Sequence, residues 1–128
     1  MKAEDYFKNG RISIWKERFA IVKSKKPLPN SFAVIKDKKE ITSVIDQSKI
    51  KNNKDIIDID KDWKILTFDM ILPFGLVGFL AKISKVLAGA GISIFVISSF
   101  STDNVLIKEK NIKKAMNKLK SLGLKTIQ

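Results

Sequence analysis

A change of period at one point in the chain constrains its fold more than any other feature. From Trp63 to Leu72 the apolar residues Leu66, Phe68, Met70 and Leu72 alternate with Ile65, Thr67, Asp69 and Ile71. That is the two-residue period of a strand with one wholly apolar face. Pro73 ends it. Beyond it, Leu76, Leu80, Ile83, Leu87 and Ala90 recur at helical spacing, which predicts an amphipathic helix with Lys82 and Lys85 on its other face. Gly91 is the expected C-terminal cap, because glycine enters the left-handed conformation without a steric cost.

The same reading continues to the end of the chain. Ile92 to Phe100 is rich in β-branched residues and predicts a second strand. Val105 to Lys108 pairs back with it after a turn. Asn111 is the expected N-cap of a second helix, with Ile112, Ala115, Met116 and Leu119 inward and Lys113, Lys114, Lys118 and Lys120 outward. Gly123 ends that helix, and Leu124 to Ile127 reads as a last strand. The order is β-α-β-β-α-β, an α+β split unit of ferredoxin-like type. Before residue 60 the pattern is less regular. Arg18 to Val22, Ser31 to Ile35 and Ile41 to Ile45 read as short strands, KKPLPN (25–30) as a turn-rich connection, and residues 49–55 as a polar loop. The expected division is 1–61 and 62–128.

Composition removes several function classes. The chain has 128 residues, no cysteine and no histidine. Disulfides, thiolate chemistry and the commonest general base and metal ligand are therefore absent. No nucleophile–base pair can be named, so no catalytic residue, metal site or cofactor is expected. No apolar run reaches the length of a membrane span, and MKAEDYFKNG has no signal-peptide core. The expectation is a soluble cytoplasmic protein with no membrane partner. The net charge of +12 raises the question of nucleic acid. Yet only Arg11 and Arg18 are arginines, the residue suited to bidentate base contacts, and the lysines read as scattered over solvent faces.

Two segments carry the candidate chemistry. PFGLVG, residues 73–78, joins a strand to a helix N-terminus, where unpaired N–H groups and the helix dipole favour an anion. Gly75 and Gly78 would let a ligand approach the backbone closely. SSFSTDN, residues 98–104, follows an apolar strand that runs back toward that helix start, so the two segments belong at one edge of the sheet. An amino acid zwitterion fits this pair. Helix N–H groups would hold its carboxylate, Asp103 would hold its ammonium through a charge-assisted bond, and Ser99 or Thr102 would add a hydroxyl. Asp and Asn are also ordinary hairpin-turn residues, and Gly75 could serve packing alone.

The motifs LPFGLVGFLAKISKVLAGAGISIFVIS and STDNVLIKEKNIKKAMNKL resemble the ACT domain family, in particular its tandem branch with the CASTOR-type arginine sensors and small bacterial proteins of similar length. RFAIVKSKKPLP and EITSVI resemble the N-terminal module of that branch. The resemblance implies a tandem ACT-like ferredoxin-like sandwich with a reduced N-terminal module. It also implies dimerisation and amino acid ligands bound at module or subunit interfaces. Carried over by motif position, the site comprises Phe74, Gly75, Leu76, Val77, Gly78, Ser99, Phe100, Thr102 and Asp103. Asn104 stands where the family more often has an aromatic residue, which could alter a pocket wall; Ser99 stands where it often has threonine. The resulting expectation is a regulatory sensor passing its signal to its own oligomer or to a protein partner.

Other clusters read differently. Asp69 could pair with a basic ligand side chain or simply face solvent. Asp55, Asp58, Asp60 and Asp62 lack the glycine and terminal glutamate of a calcium loop and read as a charged linker. Trp15 and Phe19, beside Lys16 and Arg18, read as core or interface. The alternative function is a basic ferredoxin-like nucleic-acid-binding domain, which requires lysines gathered on one face.

Overall fold

The computed structural model describes residues 2–127. Among them eight strands and three α-helices form in the order α1 (Ala3–Phe7), β1 (Arg11–Ile14), β2 (Phe19–Ser24), β3 (Ala33–Lys36), β4 (Ile41–Asp46), β5 (Ile56–Phe68), α2 (Phe79–Gly89), β6 (Phe95–Ser98), β7 (Asp103–Lys108), α3 (Ile112–Lys120) and β8 (Lys125–Ile127). The α+β class holds, and from β5 onward the order is β-α-β-β-α-β. The chain makes two compact units, one of Met1–Trp15 with Lys64–Gln128, the other of Lys16–Trp63. Residues up to Trp15, which a division at 61 assigns to the first half, thus join the larger unit.

In the larger unit the strands lie in the order β6-β7-β5-β1-β8. β1 runs antiparallel to β5, with Ile12 opposite Phe68, and parallel to β8. It therefore stands between the first and last strands of the βαββαβ unit. Alternation sets the faces. Leu66 and Phe68 of β5, Val105 and Ile107 of β7 and Ile12 of β1 share one core with Phe79, Ile83 and Leu87 of α2 and with Ala115, Met116 and Leu119 of α3. Full burial of a side chain such as Ile83 or Leu87 contributes about 1.5–3 kcal/mol. Phe79 stacks on Phe7 and meets Phe68 edge-on, at centroid distances of 5.0 and 5.1 Å.

Several boundaries differ from the sequence reading. β5 begins at Ile56 and ends at Phe68, so the acidic run is mostly strand and not a linker. Its partner explains this: β2 pairs with β5 from Ile56 to Trp63, and that ladder overrides the low strand propensity of aspartate. The strand stops four residues early because the chain turns away after Asp69, whose N–H donates to the Arg11 carbonyl. Leu72 nonetheless reaches the core. α2 starts at Phe79, not Leu76, because Pro73–Leu76 closes as a turn, with the Leu76 N–H donating to the Pro73 carbonyl at 3.0 Å. Its buried face is led by Phe79, which the spacing reading left out. At the other end Gly91 has φ +73°, and the N–H groups of Gly91 and Ile92 bond the carbonyls of Ala88 and Leu87, a Schellman closure. The second strand shortens to Phe95–Ser98. Asn111 does precede α3 but makes no side-chain cap bond, because a single 3₁₀ turn, Glu109–Asn111, leads into the helix.

In the smaller unit the antiparallel order is β3-β4-β2-β5, the last through its first residues. A compact core of Ala20, Val22, Leu28 and Ile45 lies under half-buried Ile50, Ile56 and Ile59. Phe19 is buried and packs edge-on against Phe32. Among the described residues this unit has no α-helix. Its carboxylates hold turns. The N–H groups of Lys39 and Glu40 bond Asp37, and the Ser48 hydroxyl and N–H bond Asp46. These bonds hold both carboxyls below the ordinary aspartate value of 3.8.

Candidate functional site

The loop before α2 and the β6–β7 hairpin meet in the larger unit. One cleft of about 270 Å³ is lined by Leu72, Phe74, Leu76, Gly78, Ser98, Ser99, Phe100, Thr102 and Asp103, among others. The hairpin is closed by the Ser99 N–H donating to the Thr102 carbonyl at 2.8 Å. The Thr102 hydroxyl donates to the Phe68 carbonyl at 2.7 Å, which ties the hairpin to the end of β5. The Leu72 N–H donates to the Ser101 carbonyl at 2.7 Å, which ties the loop to the hairpin. The separation in sequence is thus bridged by backbone bonds, not by side-chain packing alone.

Asp103 opens β7 opposite Ser98. The Ser98 hydroxyl donates to its carboxylate at 2.6 Å, a short bond of the charge-assisted kind. Ser98 lies outside the motif positions named from sequence. Its signal was its place in the strand, two residues on from Val96 and hence on the face toward the helices. The Ser99 hydroxyl donates to the Thr102 carbonyl at 3.1 Å, and the Thr102 hydroxyl is likewise engaged with backbone. Asp103 is the acidic residue among those lining the cleft.

The other wall is the start of α2. Its first intrahelical bond runs from the Lys82 N–H to the Gly78 carbonyl at 3.1 Å. The N–H groups of Phe79, Leu80 and Ala81 precede it, and glycine at the N-cap has no side chain to accept from them. Such groups are left for solvent or an anion. Gly78 has φ +91°, a conformation that a side chain disfavours. Gly75 has no atom within 4 Å of where a Cβ would stand, so packing does not require a glycine there.

The other positions named from sequence divide. Gly75 and Val77 face a second, wider cleft that Gly78 also lines, together with Ala3, Phe7, Lys82 and Lys85. Phe74 and Phe100 are 77% and 80% exposed, yet their rings meet edge-on at 4.8 Å. Ile71 and Val77, on the same loop as Phe74, are exposed as well. Asp69 is exposed and lines neither cleft. Asn104 is no wall of the cleft. It is buried on the opposite face of β7, where its Oδ1 accepts from the Thr67 hydroxyl at 2.7 Å and its Nδ2 donates to the Ile97 carbonyl at 3.2 Å. The Trp15 Nε1 donates to the same Thr67 oxygen at 2.9 Å. Trp15 thus has a structural role. Among the described residues no group of three potential metal ligands forms, and no helix is long and apolar enough to cross a membrane.

The ACT domain family matches residues 58–121, and the chain belongs to that family. The match spans β5 to the end of α3, the elements that build the cleft. Among solved structures, a protein of Agrobacterium tumefaciens is similar at 20% identity, over 93% of this chain and 92% of that one, with a TM-score of 0.79. A C-terminal regulatory domain of aspartate kinase from Porphyromonas gingivalis is 22% identical over 86% of this chain and 95% of that one, with a TM-score of 0.58. The ligand-free regulatory subunit of aspartate kinase from Thermus thermophilus is 11% identical over 88% and 95%, with a TM-score of 0.63. At these identities the likeness is one of fold. No curated protein sequence matches the chain.

Proposed function

We propose that this chain is a non-catalytic cytoplasmic sensor that binds a small amino acid at the cleft between the α2 loop and the β6–β7 hairpin. The observation that carries the reading is the pairing of opposite binding chemistries in one cleft. Uncapped N–H groups at the start of α2 suit a carboxylate, and the Asp103 carboxylate suits an ammonium group. The regulatory role of the aspartate kinase domains that share the fold supports the same reading. The sensor is of the CASTOR-type, tandem kind, with Lys16–Trp63 as the core of the reduced N-terminal module. The exposed apolar residues of the α2 loop and the hairpin, Ile71, Phe74, Val77 and Phe100, fit a site completed by a second surface, that of another copy in a homodimer. Binding then acts by favouring one arrangement over another, to the extent that the two differ in ligand affinity, and a protein partner reads the result.

A thermal-shift screen of the common amino acids, on the wild type and on Asp103→Ala, tests this. A ligand that binds only the folded state raises its melting temperature. The expected result is a shift with one amino acid or a related group, lost in Asp103→Ala. Unchanged melting with every amino acid would refute the proposal.

A further inference from the structure

The outer surface of the helices carries charge of one sign. Lys82 and Lys85 of α2 and Lys113, Lys114, Lys118 and Lys120 of α3 are all exposed, and neither helix contains an acidic residue. The ammonium groups of these lysines have no ion-pair partner among the described residues. Glu4 of α1, which lines the wider cleft with Lys82 and Lys85, is the carboxylate at that margin. Lysines scattered along the sequence are gathered by the fold on two helices packed side by side on one core.

Helix stability accounts for Lys118 and Lys120, in the last turn of α3 where the dipole favours cations, but not for the lysines at the helix starts. The positive end of the helix dipole disfavours cations in the first turn and favours Asp or Glu there. Lys113 and Lys114 occupy the first turn of α3, which has no acidic residue. The acid at this helix start is Glu109, in the 3₁₀ turn that leads into α3, and two lysines follow it where stability alone favours acids.

We infer that the α2–α3 face docks on the phosphate backbone of nucleic acid, without reading sequence. The composition of the face selects this partner. A protein partner would need apolar or aromatic anchors, and an inserted membrane contact would need an apolar stripe. The exposed large apolar residues are Val34, Ile35, Ile57, Ile71, Phe74, Val77 and Phe100, none of them on α2 or α3. Lysine is a point charge suited to phosphate, and the planar fork that reads base edges is missing from the face.

Binding to a short mixed-sequence DNA duplex carrying fluorescein, followed by anisotropy from about 50 to about 200 mM salt, tests the inference. Wild type should bind with log K falling against log salt at a slope of about −4, as roughly four to five phosphate contacts require. Lys113→Glu with Lys114→Glu should weaken binding at least about fivefold and flatten the slope by about 1.8. It should not lower the melting temperature, since acids in the first turn favour the helix. Lys38→Glu with Lys39→Glu, both exposed in the smaller unit, makes the same change in net charge and should leave most of the affinity. Lys82→Glu with Lys85→Glu repeats the loss on the second helix. No binding by wild type, equal losses in the α3 and control pairs, or binding only to phosphatidylserine vesicles would each overturn the inference. None of these outcomes bears on the amino acid screen.

Discussion

Asp103 and Asn104 are neighbours in sequence and opposites in structure. Alternation along β7 puts Asp103 on the face toward the helices, where its carboxylate meets Ser98 and an open cleft. Asn104 points to the other face, is 5% exposed, and sits in a chain of hydrogen bonds from the Trp15 indole through Thr67 to the Ile97 carbonyl. The first cluster, with Ser98 exposed and Asp103 half-buried, opens on the cleft and can exchange partners with a ligand. The second is closed, with its donors and acceptors matched within the protein. A polar residue in a strand can therefore mark a site or a structural joint, and the face decides which.

Mutations on the two faces should separate accordingly. The largest loss is expected for Asn104→Ala, which leaves the Thr67 hydroxyl and Ile97 carbonyl without their partner. It should cost about 1–3 kcal/mol in a denaturant titration while preserving the shift with amino acid. Thr67→Val removes the central hydroxyl, which accepts from the Trp15 indole and donates to the buried Asn104 Oδ1. Its expected cost is about 1–2 kcal/mol by the same measurement, again with ligand response intact. Asp103→Ala removes the bond from the Ser98 hydroxyl at a half-buried position; it should cost at most about 1 kcal/mol, yet abolish the response. A reversal, with Asp103→Ala unfolding the protein and Asn104→Ala sparing it, would break the comparison.

The smallest expected effect lies away from both faces. Asp37 and Asp46 are held below 3.8 by donors present in the folded chain. Groups depressed in this way stabilise the fold above the unfolded value and lose that contribution as pH falls through the folded one. Melting temperature should therefore decline as pH drops below about 3.8, and Asp37→Asn with Asp46→Asn should flatten that decline.

The parts of the fold legible in sequence are those whose periodicity is self-contained. The α3 stripe and the Gly91 cap need no information from elsewhere in the chain. α1 and β1 do: five residues without a long stripe and four residues of RISI take their places through Phe7 packing on Phe79 and Ile12 pairing with Phe68. The acidic beginning of β5 likewise becomes a strand only through its pairing with β2. The meeting of PFGLVG with SSFSTDN was legible because the direction of each element fixes where its end falls. The place of Asn104 was not, since the exact start of β7 decides which of two adjacent residues faces the helices.

The central claim, that the α2 loop and the β6–β7 hairpin form one amino acid site, is tested most directly by amide NMR. An equimolar mixture of the common amino acids would be titrated into the ¹⁵N-labelled protein. The account predicts the largest shifts at the N–H groups of Phe79, Leu80 and Ala81 together with those of Ser98, Ser99 and Asp103. Shifts confined to another part of the molecule, such as the small cavity under Leu28 and Ile50, or no shifts at all, would contradict it.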